Sequence, residues 1–260
     1  MSHWEKYHTR WALIEPPLRC SDEVVREIQS IIGRAPGTVL LLGVTPELAD
    51  AFDEVFAVDK NPSMIANVWP GDSAGKRAVA ADWLELRSQG ETFAAIVGDG
   101  SLNNLGYPSD IKKLLGIALE MLAPGGRFVC RLFERPSSPF TLDDIMMAAS
   151  APASLNFHAL KWMIAMHVAA QNEAMVPVVQ ILATFNKLFP DRERLSRDTG
   201  WPRTAIDTID IYQDSAMSYS FPCREEFLTI IPDSAIEVEF RNCGTYNLAS
   251  CCPILAFRKP

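Results

Sequence analysis

The chain has 260 residues, 48% of them hydrophobic and 22% charged, with 24 basic against 32 acidic side chains and a formal charge of −8. At this length area scaling buries roughly 73% of the unfolded chain's surface, which excludes intrinsic disorder as the main state. An acidic chain without a basic cluster has few cations to set against a phosphate backbone, which argues against a nucleic-acid partner.

The start, MSHWEKYHTRW, is polar and of mixed charge, unlike a secretory leader. The longest apolar stretch near it, Val39 to Val44, is far short of the ~20 residues of a membrane helix, so no membrane partner is expected. Thr38–Gly43 (TVLLLG) reads as a fully buried strand, followed by a short helix over Pro46–Phe52 with proline in its first turn. Val55–Val58 is a second strand ending at Asp59, and Asn61 is expected to cap a helix with Pro62 just inside it. Arg77–Ala80 gives a third strand ending near Asp82, and Phe93–Val97 a fourth, before the polar turn GDGSLNN. Ser109–Leu122 has helical periodicity and stops at Ala-Pro-Gly-Gly, after which Arg127–Phe133 is the fifth strand.

Alternation of apolar runs with helices predicts a doubly wound, mostly parallel sheet, since strands covered on both faces need no polar side. From Pro136 the pattern becomes helical and rich in Met, Ala, Phe and Leu, until Ile236–Phe240 and Pro253–Phe257 read as two late strands. The stretch between the fifth and sixth strands is too long for a plain crossover, so it is expected to be a helical insertion. Three segments follow: a helical lid over 1–37, a ligand-binding sheet domain over 38–135 and 223–260, and the insertion over 136–222, as a lid over the substrate or a dimer interface. The six cysteines contain no CxxC pair and read as reduced thiols in a cytoplasmic protein. No metal site is expected.

Open α/β sheets bind ligands beyond the carboxyl ends of their strands. Gly43, with Val44 and Thr45, allows a tight turn against a ligand there; such a glycine is about as often purely structural. Asp59, at the end of strand two, can accept both hydroxyl protons of a ribose, or cap the next helix. Asp82 beside Trp83 matches the edge and face of an adenine, or caps a helix. Gly98-Asp99-Gly100 lets the main chain bend against a bound group.

The set TVLLLGVTPELA, AVDKNPSMI, ADWLELR, IVGDGSLNNL and LAPGGRFVCRLF resembles the class I S-adenosylmethionine-dependent methyltransferases over residues 38–134. IEVEF and PILAFRK resemble that fold's terminal antiparallel hairpin, which makes the expected sheet seven-stranded and Rossmann-like. The resemblance departs at the first loop, where several glycines are reduced to Gly43. It implies S-adenosylmethionine as cofactor, with Gly43, Val44 and Thr45 against its methionine part. Asp59 would hold the ribose, Lys60 and Met64 flank the adenine, Asp82 face the adenine amino group and Trp83 its ring. Asp99 and Gly100 would lie near the amino group and sulfonium, with Arg19 pairing with the carboxylate and Trp11 covering it.

The reaction so implied is in-line methyl transfer to a small-molecule acceptor. His158 and His167 in the insertion, with Asp99 or Glu134 at strand ends, are the candidates for a general base. The two histidines lie nine apart, so one continuous helix turns them to opposite sides. Trp162, Met163, Met166, Tyr212, Tyr219 and Phe221 read as an apolar or aromatic acceptor wall or as core, and Ala159–Ala170 as a face for a homodimer. Two rival readings are a cofactor-binding regulatory or assembly protein and a dinucleotide oxidoreductase; the latter lacks its GxGxxG.

Overall fold

In the computed structural model, which describes residues 3–33, 37–87, 90–151 and 155–260, the apolar runs become the strands of one sheet. Residues 1–2 and 34–36 of the expected lid, and 152–154 of the expected insertion, lie outside the described residues. The chain opens with α1 (His3–Tyr7), a 3-10 turn over His8–Leu13, and α2 (Asp22–Ile32). The alternating block is β1 (Val39–Leu42), α3 (Pro46–Asp50), β2 (Val55–Asp59), α4 (Pro62–Val68), β3 (Lys76–Ala80), β4 (Phe93–Asp99), α5 (Ser109–Met121) and β5 (Leu122–Arg131). Then come α6 (Leu142–Ser150), α7 (Phe157–Ala169), β6 (Met175–Pro177), α8 (Val178–Leu188), α9 (Arg192–Thr199) and α10 (Arg203–Ile206). The last elements are β7 (Ser218–Ser220), α11 (Arg224–Leu228), β8 (Ile236–Arg241) and β9 (Ile254–Arg258).

Seven strands pair in the order β3-β2-β1-β4-β5-β9-β8, with β1 to β5 mutually parallel and β9 antiparallel to both β5 and β8. The chain winds outward from β1 through β2 to β3, then returns to the other side of β1 at β4. The strand order therefore reverses between β1 and β4, where an open sheet leaves a crevice. Alternate residues of β1 enter two cores. Leu40 and Leu42 pack with α5, Phe128 and Phe257, whereas Val39 and Leu41 pack with α2 and the helices of the insertion. Each such leucine stabilises the fold by about 1.5–3 kcal/mol, which is why the run has no polar member.

The fifth strand starts at Leu122, earlier than expected, because Ala-Pro-Gly-Gly is absorbed as an irregularity in its pairing with β4. Asn61 occupies the position before α4 without a side-chain capping bond; instead Asp59 Oδ1 accepts the Asn61 N–H at 2.7 Å. β6 and β7 form a second, two-stranded antiparallel sheet that the sequence pattern does not announce. Insertion residues Phe157, Ile164 and Ile181 share one apolar cluster with Leu41 and Val97 of the sheet. In α7 every residue but His167 is buried within the chain itself, so its apolar surface is not available to a second copy. Among the described residues no helix is long and apolar enough to cross a membrane.

Candidate functional site

A cleft of about 630 Å³ opens at the carboxyl ends of β1, β2 and β4. Gly43, Val44, Thr45, Asp59, Lys60, Met64, Asp82, Trp83, Asp99, Gly100 and Trp11 all line it. The structure thus gathers eleven of the twelve residues implied for the cofactor; Arg19 stands outside the lining. Asp59 and Asp82 open onto the same space, as one nucleoside would require.

Gly43 adopts φ +107°, which strains any residue with a Cβ, and its N–H donates to Val58 O at 2.8 Å. A Cβ there would stand 4.0 Å from both Asp59 Oδ2 and the Trp83 ring, so the glycine keeps open the floor between them. Burial pushes the Asp59 carboxyl up to about 6, against which its bond from the Asn61 N–H acts only in part. Such a carboxylate gains from further donors. Asp82 accepts from Lys60 Nζ at 2.7 Å and from Leu84 N–H at 3.0 Å; the Lys60 bond holds it below the usual carboxylate range. Trp83 Nε1 donates to Val58 O at 2.6 Å, which fixes the indole across the ends of β2 and β1.

At the end of β4 both carboxylate oxygens of Asp99 are held by Arg131, whose guanidinium is wholly buried, bonds Tyr246 Oη at 3.1 Å, and lies over the Phe133 ring. Asp99 therefore reaches the cleft already neutralised. Gly100, at φ +64°, passes so close that a Cβ would meet Phe133 at 2.5 Å. Arg19 ion-pairs with Glu47 and stacks on Trp11, with the other Glu47 oxygen and Trp11 Nε1 buried without partners. The amino-acid end of the expected cofactor thus meets an arginine that already has a carboxylate.

Of the general-base candidates Asp99 lines the cleft, with both oxygens held by Arg131, whereas His158, His167 and Glu134 do not. His158 is buried under the N-terminal segment, with Nε2 2.9 Å from Leu13 O, and burial pushes its pKa down to about 3. His167, farther along the same continuous α7, contacts Phe140 O through Nδ1 and the Gln171 side chain through Nε2. Glu134 is bonded by Arg224 at 2.6 and 2.9 Å. Of the apolar and aromatic candidates, Trp162 and Tyr219 line the cleft, while Met163, Met166, Tyr212 and Phe221 are core.

Trp4, Tyr7, Asn103, Asp110, Phe133 and Met217 also line it, although none of them is among the expected cofactor contacts. Trp4, Tyr7 and Trp11 follow the i, i+3, i+7 spacing of one helical face, a signal present in the sequence. Asn103 ties the site together: its Nδ2 donates to Phe133 O and Ser220 O, and its Oδ1 accepts the Phe133 N–H. Lys161 lies behind Trp162, wholly buried, and burial lowers its ammonium to about 7. Among the described residues no group of three His, Cys, Asp or Glu is placed to hold a metal ion.

Five parallel strands that reverse at β1, with one antiparallel strand slotted between β5 and the edge, decide the architecture. It is a seven-stranded Rossmann-like α/β fold. No family model matches the chain, and no curated protein matches it. Solved structures do. A Rhodobacter sphaeroides protein provisionally named a Zn-dependent alcohol dehydrogenase aligns over 99% of this chain and 96% of its own, at 10% identity and TM-score 0.60. The N-methyltransferase NodS from Bradyrhizobium japonicum WM9 aligns over 99% and 97%, at 15% identity and TM-score 0.49. A Bordetella parapertussis protein named as a possible exported protein aligns over 91% and 66%, at 14% and 0.51. At these identities the likenesses concern fold, not activity.

Proposed function

We propose that this chain is an S-adenosylmethionine-dependent methyltransferase acting on a small-molecule acceptor. The observation that carries the reading is the convergence of Asp59 and Asp82 on one cleft, with the bare backbone of Gly43 between them. Asp59 would take the two ribose hydroxyls, whose donors offset the cost of burying its charge. Asp82 would accept from the adenine amino group, while Trp83 and Met64 supply apolar walls. Gly43, Val44 and Thr45 would border the methionine part, with Trp11 covering it. Arg19 would reach the cofactor's carboxylate only by sharing itself with Glu47.

When bound, S-adenosylmethionine supplies a methyl group activated by a positive sulfur. The chain's own contribution is to hold the acceptor in line and keep water out, an effect worth up to ~7–11 kcal/mol. The aromatic side of the cleft does both. In this reading residues 1–37 and 136–222 serve as lid and acceptor wall over the sheet domain. Six free cysteines suit a reducing, cytoplasmic setting.

The absence of His158, His167 and Glu134 from the cleft lining favours one second reading, a cofactor binder without transfer activity. Two measurements decide. Thermal-shift titration with S-adenosylhomocysteine and with NAD is expected to respond to the first; a response to NAD alone would remove the proposal. Labelled S-adenosylmethionine fed to cell extract with the purified protein is expected to label a small molecule. No transfer across broad extracts would favour the binder.

A further inference from the structure

Resting on the methyl-transfer reading, we infer that the acceptor is an electron-rich aromatic small molecule, neutral or anionic, bound against Phe133, Trp162 and Tyr219. These three rings line the cleft next to Gly100, which a Cβ could not replace without striking Phe133. Trp162 is the centre of the wall. It meets Phe133 and Tyr219 at centroid distances of 5.3 and 5.4 Å and 72° in each case, an edge-to-face herringbone. A flat ring extends such an array with the alternation of positive edges and negative faces that aromatic pairs prefer, which an aliphatic guest cannot do.

The charge behind the wall selects the guest's sign. Arg131 lies over Phe133 at 5.2 Å, and Lys161 Nζ lies 5.8 Å from the Trp162 centroid and 5.2 Å from that of Tyr212. Both cations are fully buried. Arg131 is neutralised by Asp99, while Lys161, without an ion pair among the described residues, carries its full charge only below its lowered value of about 7. A ring wall already backed by cations is a poor cage for an ammonium and a good one for a phenolate, carboxylate or electron-rich neutral ring. Asp110, in the first turn of α5, is the cleft carboxylate an amine would instead seek.

The test uses the full chain saturated with S-adenosylhomocysteine and three probes followed by calorimetry at pH 6, where Lys161 is charged: 4-hydroxybenzoate, cyclohexanecarboxylate with the charge but no aromatic ring, and 4-hydroxybenzylamine with the ring but a positive charge. The expected result is 4-hydroxybenzoate binding about tenfold or more tighter than either control. Trp162→Leu is expected to erase the advantage over cyclohexanecarboxylate, and Lys161→Met the advantage over the amine. Equal or tighter binding of 4-hydroxybenzylamine, equal binding of the ringless acid, or no binding of 4-hydroxybenzoate overturns the inference. S-adenosylhomocysteine is titrated first on each protein. If the wild type fails to bind it, the methyl-transfer reading falls; if it binds but the probes show no preference, only the aromatic acceptor falls. Should Trp162→Leu not fold, the Lys161→Met comparison and the three wild-type affinities still decide.

Discussion

Asp59→Asn separates the burial of a charge from the binding of a ligand, because asparagine keeps the shape and can still accept the Asn61 N–H at the same place. Moving the carboxyl from its ordinary 3.8 to about 6 costs the ionised form about 3 kcal/mol in the empty protein. A folded pKa above the unfolded one gives stability that is fully present below about pH 4 and is lost as pH rises through about 6. Above pH 7 the substitution is therefore expected to stabilise the ligand-free chain, by up to about 3 kcal/mol, and to do so much less near pH 4. S-adenosylhomocysteine should behave oppositely. Hydrogen bonds to a charged acceptor are worth about 1.5–3 kcal/mol, so losing the carboxylate should weaken binding roughly 10- to 150-fold at pH 8. In the wild type the affinity should fall as pH drops below about 6, and the variant should show a flatter profile. Denaturant unfolding at the two pH values and calorimetry across the range make the measurement. An Asp59→Asn variant less stable than wild type at pH 8, or one that binds the ligand equally well, would refute the argument.

Gly43→Ala should cost about 1–2 kcal/mol of stability through its positive φ and lower S-adenosylhomocysteine affinity as well, read by paired unfolding and titration. Arg131→Met leaves Asp99 buried without its partner and is expected to destabilise by about 3–5 kcal/mol, while the double variant with Asp99→Asn recovers most of it; unchanged melting of the single variant contradicts this. His158, held near 3 by burial, contributes stability that is present above its ordinary 6.5 and lost as pH falls toward about 3. Replacing it with Gln, which can still donate to Leu13 O, should flatten the acid limb of the stability curve, with little effect at pH 8.

The sheet and the nucleoside side of the cleft were legible in the sequence, whereas the far wall was not. Apolar runs such as Val39–Leu42 and strand-ending residues such as Gly43, Asp59 and Asp82 carry their meaning locally: a strand covered on both faces has no polar member, and its end is where the next turn must begin. What Trp162, Tyr219, Phe133 and Trp4 do depends on which distant segments are brought together, and helically spaced aromatics look alike whether they face a core or a cleft. His158 shows the same limit. Its spacing on α7 was readable, but only the packing of Leu13 against it turns a candidate base into a buried neutral ring. The partners of Asp99 and Arg19 were likewise settled by chain segments far away in sequence, Arg131 on β5 and Glu47 on α3. Periodicity fixes what each element buries; charge pairing and cavity walls are decided across elements, where the cost of an unpaired buried group selects the partner.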